Sequence, residues 1–309
     1  MLSRIAESLF WIGRYIERSD GTARILDVHL QLLLEDPWIE EDIACRSLLS
    51  VMGTDAPDGT SITRQDVLDL LAIDRNQPAS IAYSLNAARE NARRAREIVP
   101  TELWECLNTT RARMPRRLTA DKEHDFFRWV RERAALAVGI IESGSSRDEA
   151  WQFLTLGRSI ERADMTARLL ATRSLTEASG PSWTTILRSC GAYEPYLRTY
   201  RGVPSALNAA EFLLLDRLFP RSVVYSIGRA EQSLRDLEPS LGRAGVPDQG
   251  QRVLGRVRSQ LEYRPIAETL EDLPYHMDTV QEATSAASEA IRHRYFPKDA
   301  APIWVGDTL

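Results

Sequence analysis

The chain has 309 residues, 43% hydrophobic and 27% charged, with a formal net charge of -5 and a pI near 5.6. That length supports one or two domains around a sizeable core, and the composition is ordinary for a soluble globular protein. The acidic balance argues against a nucleic-acid binder working by overall attraction, with a local basic stripe left open, and no apolar run approaches the roughly 20 residues that span a bilayer. Cys45, Cys106 and Cys190 are odd in number and far apart, which fits reduced thiols in a cytoplasmic compartment.

The opening MLSRIAESLFWIGRYIER puts Arg4, Glu7 and Arg14 where a secretory signal would be apolar, so it reads as an amphipathic helix. The pattern predicts a first helix over 3–34, with Ser3 as N-cap and Pro37 past its end, and a second over 38–52. Residues 53–63, with Pro57 and Gly59, form a loop, after which Thr63 and Asp66 have capping-box spacing for a short helix to Ile73. Pro78 suits the first turn of a helix to Ile98, and helices over 100–112 and 121–142 follow. Ser146 and Glu149 offer a capping box for a long helix over 147–176. Further helices are expected near 182–200, 208–218 (Asn208 and Glu211 at cap spacing), 220–237, 248–262 and 264–295. Strand signals are weak, and residues 297–309, with two prolines, read as an extended tail.

The chain repeats itself. IGRYIERSDGTARIL at 12–26 returns as LGRSIERADMTARLL at 156–170, identical at ten of fifteen positions at an offset of 144. Fainter matches follow in the same order at an offset of 142: Arg46-Ser47 with Arg188-Ser189, Asp74-Arg75 with Asp216-Arg217, Pro78-Ala79-Ser80 with Pro220-Arg221-Ser222, and Tyr83-Ser84 with Tyr225-Ser226. The expected fold is therefore an all-α, internally duplicated helical bundle with pseudo-twofold symmetry.

On a helical wheel Ile5, Leu9, Ile12, Ile16 and Ala23 gather on the face to bury. Gly13, Glu17, Asp20 and Arg24 form a stripe beside it, flanked by Arg14, Arg18 and Gly21. The second copy gives Gly157, Glu161, Asp164 and Arg168, flanked by Arg158, Arg162 and Met165. A merely solvated face has no reason to stay alike in both copies. Two readings remain open. The charges can form a partly buried ion network that fixes helix register, with Gly13 and Gly157 allowing close approach. Alternatively they line a site in which the carboxylates hold a cation or amine and the arginines grip a carboxylate or phosphate. His29, His124, His276 and His293 lack the Glu-x-x-His spacing of di-iron bundles, and no nucleotide, zinc or serine-hydrolase motif occurs, so no metal or cofactor is assigned. The paired Pro-x-Ser-x-x-Tyr-Ser segments read as helix starts, and the arginine-rich run over 88–98 as a solvated helix face.

The opening MLSRIAESLFWIGRYIERSDGTARIL, the internal LGRSIERADMTARLL and the closing IRHRYF resemble the bacterial alpha-E family, helical proteins with a Glu-Arg motif, from Met1 to about Phe296. The resemblance implies one all-helical domain over 1–296, built from repeats of about 1–143 and 144–296. The motif residues carried over by position are Glu17, Arg18 and Asp20, then Glu161, Arg162 and Asp164. Where many relatives have Ala-Glu-Asn after the first Glu-Arg, this chain has Ser19-Asp20-Gly21. Family members are encoded beside, or fused to, a circularly permuted ATP-grasp protein resembling amide and peptide ligases, with a transglutaminase-like homologue and sometimes a proteasome-like hydrolase nearby. The resemblance thus implies a cytoplasmic accessory or substrate-presenting partner of that ligase, acting on a peptide, without nucleic acid or membrane; homo-oligomerisation stays open. The alternatives are a stand-alone enzyme of amide-bond chemistry using Glu17 or Glu161 as general base, and a purely structural helical adaptor.

Overall fold

The computed structural model describes residues 1–35, 40–56, 59–119, 121–172, 182–239 and 245–297, and among them there are fourteen α-helices and no strand. In chain order these are α1 (Ser3–Glu35), α2 (Glu41–Val51), α3 (Arg64–Val67, running into a π-helical turn over Leu68–Ile73), α4 (Ile81–Arg94), α5 (Thr101–Ala112), α6 (Glu123–Gly144) and α7 (Glu149–Ala171). Then come α8 (Trp183–Ser189), α9 (Tyr193–Tyr200), α10 (Ala206–Leu215), α11 (Val223–Leu237), α12 (Gln249–Tyr263), α13 (Ile266–Glu271) and α14 (Leu273–Tyr295). Expectations placed on 36–39, 57–58, 173–181, 240–244 and 298–309 lie outside the described residues. No helix is long and apolar enough to cross a membrane among the described residues.

The helices that carry the repeated motif, α1 and α7, are the centre of the packing. They lie against each other, with α4, α6 and α8 also on α1, and α11 and α14 also on α7. The apolar face read from the wheel is buried, but so is the polar stripe: Gly13, Glu17 and Asp20 on α1, and Gly157, Glu161 and Asp164 on α7, are all inside. Two glycines make this contact close. A Cβ on Gly13 would overlap the Leu154 carbonyl oxygen and sit 3.0 Å from the Arg158 amide nitrogen. A Cβ on Gly157 would overlap the Phe10 carbonyl oxygen and sit 3.2 Å from the Arg14 amide nitrogen. Backbone therefore rests on backbone, which only glycine permits. About two turns on, Gly21 makes room for the thioether of Met165, whose Sδ would lie 2.5 Å from an added Cβ.

Several predicted boundaries move. The α4 N-cap is Ser80 rather than a proline-led first turn, because its hydroxyl accepts from the Tyr83 amide. The Asp148 carboxylate accepts from the Ala150 and Trp151 amides, so it caps α7 in place of Ser146. Ser205 caps α10, and Asn208 supplies the amide that its hydroxyl receives. The helix expected near 182–200 is two helices, broken at Gly191, whose φ of 61° is left-handed. The span 264–295 is divided at Asp272, which leaves helical geometry and caps α14 instead. The Thr63–Asp66 capping box is present, but the α-helix it opens passes into the π-turn after Val67.

Gly13→Ala and Gly157→Ala should each destabilise the chain by about 1–3 kcal/mol or more through backbone overlap. Gly139→Ala, on an exposed stretch of α6 with nothing within 4 Å of an added Cβ, should stabilise by roughly 0.5–1 kcal/mol. Denaturant unfolding of the three variants measures both signs.

Candidate functional site

Where α1 crosses α7, each glutamate of the Glu-Arg motif meets arginines from the other helix. Glu161 takes Arg18 through two contacts, Nε to Oε1 at 2.5 Å and Nη2 to Oε2 at 3.0 Å, and Arg14 Nε donates to its Oε2 at 2.6 Å. Glu17 takes Arg162 through Nε to Oε1 at 2.9 Å and Nη2 to Oε2 at 2.6 Å. Its second guanidinium comes from Arg221, just before α11, with Nη1 at 2.6 Å from Oε1. Both glutamates are 2% exposed. The arginines are anchored in turn: Arg18 Nη1 donates to the Pro78 carbonyl at 3.4 Å and Arg162 Nη1 to the Pro220 carbonyl at 3.3 Å. The Pro-x-Ser segments thus do more than start helices, since their proline carbonyls receive the motif arginines and their serines cap α4 and α11.

The ten charged residues of the two stripes and their flanks do not form one cluster. Arg24 and Asp20 pair within α1 at 3.0 Å, and Arg168 and Asp164 within α7 at 2.7 Å. Arg221 links Asp20 to the Glu17 cluster, while the Asp20 Oδ1 is buried without a hydrogen-bond partner. Besides Arg168, Asp164 receives a long 3.4 Å contact from Thr284 of α14. Arg158 leaves the crossing and pairs with Glu142 at 2.8 Å. Arg221 was missed by sequence reasoning; the one signal was an arginine standing where the matching segment has Ala79.

These contacts fix the ionisation of the crossing. Burial works against a charged Glu17, yet Arg162 and Arg221 outweigh it and hold the carboxyl far below its usual range. Burial opposes Glu161 likewise, and Arg18 and Arg14 bring it down to about 2. Arg18 and Arg221 are pushed up by their carboxylates in spite of burial, whereas burial, with Arg221 and Arg158 nearby, draws Arg162 down against Glu17. Burial and then Tyr83 raise the Tyr15 phenol to about 12. Arg14 lies 5.3 Å from the centroid of Trp11 and Arg18 5.5 Å from that of Tyr15, so aromatic faces shield the outer sides of both guanidiniums.

A family described as a predicted alpha-helical domain with a conserved ER motif matches residues 1–296. The chain belongs to the Alpha-E family. It is similar to uncharacterized proteins of Mycobacterium bovis and Mycobacterium tuberculosis, 26% identical over 267 residues, covering 77% of this chain and 30% of each relative. The chain thus spans less than a third of the length of these curated relatives. No solved structure matches it.

In this Alpha-E chain the Glu-Arg motif is arranged as mutual neutralisation. Each glutamate has both oxygens engaged by two guanidiniums, so neither is free to hold a cation, and Arg14, Arg18 and Arg162 already grip carboxylates of the protein itself. Among the described residues no group of three or more His, Cys, Asp or Glu side chains is placed to hold a metal ion. Cys190, buried beside Arg221 and Arg24, is raised to about 12 by burial, which makes it a packing residue rather than a nucleophile.

The low value at Glu161 has a pH signature. Its ordinary value of 4.5 falls to about 2 on folding, so its contribution to stability is complete above 4.5 and is lost as pH drops through about 2. Glu161→Gln should cost about 3–5 kcal/mol at neutral pH by leaving Arg14 and Arg18 unpaired. The variant's stability should also vary less with pH inside that window. Urea unfolding across the acid range reads both effects, and wild-type stability of the variant at pH 7 would contradict them.

Proposed function

We propose that this Alpha-E chain is a non-catalytic accessory or substrate-presenting partner of a circularly permuted ATP-grasp amide or peptide ligase, acting in the cytoplasm in a bacterial system that makes, modifies or tags peptides. A transglutaminase-like protein is a further partner in this reading. The observation that carries it is the engagement of both motif glutamates: a general base works best with a pKa near the operating pH, and these carboxyls are held far below it by their arginines. The motif then organises a rigid helical body, and the chemistry falls to a partner. That the chain matches only 30% of each mycobacterial relative accords with a module that works beside other domains.

The same reading takes residues 1–296 as one domain of two repeats, about 1–143 and 144–296, related by a pseudo-twofold axis at the α1–α7 crossing. Its support is the ten-of-fifteen match between the copies and the exchanged contacts, Arg18 with Glu161 and Arg162 with Glu17.

Co-purification with a circularly permuted ATP-grasp protein from the same genome tests the proposal, without nucleotide, with ATP and magnesium, and with a non-hydrolysable ATP analogue. The expected outcome is a complex on size exclusion in at least one of these states and faster peptide-dependent ATP turnover than by the ligase alone. Absence of a complex in all three would overturn it. Amide-bond turnover by the isolated chain, abolished in Glu161→Gln at unchanged stability, would replace it with the enzyme reading.

A further inference from the structure

Between the start of α7 and α11 lies a pocket of about 440 Å³ lined by Glu142, Arg147, Trp151, Arg158, Arg162 and Arg229. Four guanidiniums face one carboxylate there. Glu142 is shared by Arg147 at 3.2 Å and Arg158 at 2.8 Å, and Arg162 is turned back toward Glu17. Arg229 has no carboxylate partner among the described residues; it stacks over Trp151 at 4.7 Å, on the same ring that Arg147 covers at 4.3 Å. The indole Nε1 of Trp151 is buried without a hydrogen-bond partner.

Neither Arg147 nor Arg229 is needed at the crossing, where Glu17 is answered by Arg162 and Arg221. At the offsets of the internal match, the places of Arg147, Trp151 and Arg229 are held in the first half by Ser3, Glu7 and Ala87. Arg158 matches Arg14, which is spent on Glu161. Glu17 draws its second guanidinium from Arg221 instead, where the first half has Ala79. That exchange releases Arg158 into the pocket. The volume lies within the roughly 300–1,000 Å³ of small-ligand sites. A neighbouring cavity of about 520 Å³ shares Tyr225 and Arg229 with it, so an elongated ligand has room to continue. Glu142 inside the arginine ring disfavours a dianion, while a planar monoanion on an organic body suits guanidinium forks beside aromatic faces.

The geometry points to an anion site that takes the carboxylate of a peptide between Arg229, Arg158 and Arg147, with the peptide body against Trp151 and Tyr225. This names the substrate class of the presenting role and rests on that reading for its place in the system. Binding to the chain alone is measured separately, so failure to find a ligase complex and failure to bind a peptide are distinct results.

Calorimetric titration of the full chain with acetyl-Ala-Ala-Ala as free acid, acetyl-Ala-Glu-Ala amide, acetyl-Ala-Ala-Ala amide and inorganic phosphate tests the site. The first two should bind, their relative strength telling a terminal from a side-chain carboxylate, and the uncharged peptide should not. Raising salt from about 50 to about 500 mM should weaken binding. Arg229→Ala, which loses its stacking on Trp151 but no ion pair, should lower the thermal midpoint only slightly and weaken binding by about tenfold or more; Arg147→Ala serves as the second variant. Equal binding of charged and uncharged peptides, no peptide binding, or binding of phosphate alone would overturn the assignment. Wild-type affinity in both variants would do the same.

Discussion

Two carboxylates buried at a helix crossing must each be neutralised on the spot, and the rest of this structure follows from how that is done. Taking a charge out of water costs several kcal/mol, and breaking a buried pair leaves the survivor unmatched. Glu17 and Glu161 are answered by arginines of the opposite helix, so neither helix is electrically complete alone. The arrangement requires the backbones to touch, which is the task of Gly13 and Gly157. A shift of one helix by a turn would carry each guanidinium away from its carboxylate. Buried ion pairs of this kind are suited to fixing helix register, and α4 and α6 pack on α1, α11 and α14 on α7 around the crossing.

This bears on what an Alpha-E domain offers. In this chain the motif is satisfied internally, each glutamate by two guanidiniums, and the ion pairs join the two central helices. The two sides of the crossing differ in this respect. On the Glu161 side both guanidiniums come from α1, whereas on the Glu17 side Arg221 takes up one of the two places and Arg158 faces outward.

Much of the fold was legible in the sequence because long periodic helices announce themselves and the matched segment is dense in identities. The fold class, the opening helix and the helix over 101–112 follow from periodicity and punctuation. What failed was local. Gly191 and Asp272 break helices where apolar periodicity continues through them, and the caps went to Asp148 and Ser205 because side-chain reach to the next amides decides a cap. A partly buried ion network was one of the two readings the stripe allowed; which arginine answers which glutamate could not be read, because those partners lie about 144 residues away in the chain. Arg221 was invisible in the same way, since its role depends on a turn before α11 and not on any helical spacing.

The central claim is that the exchanged glutamate–arginine pairs hold α1 and α7 together. A double-mutant cycle on folding stability tests it most directly, with Glu161→Gln, Arg18→Gln and the double variant, repeated for Glu17 and Arg162. Mutual neutralisation predicts that each single change destabilises strongly and that the double change costs clearly less than their sum, with a coupling of about 1–3 kcal/mol in both cycles. Additive effects with near-zero coupling would contradict it, and the glutamates would then have to be explained by something other than each other's arginines.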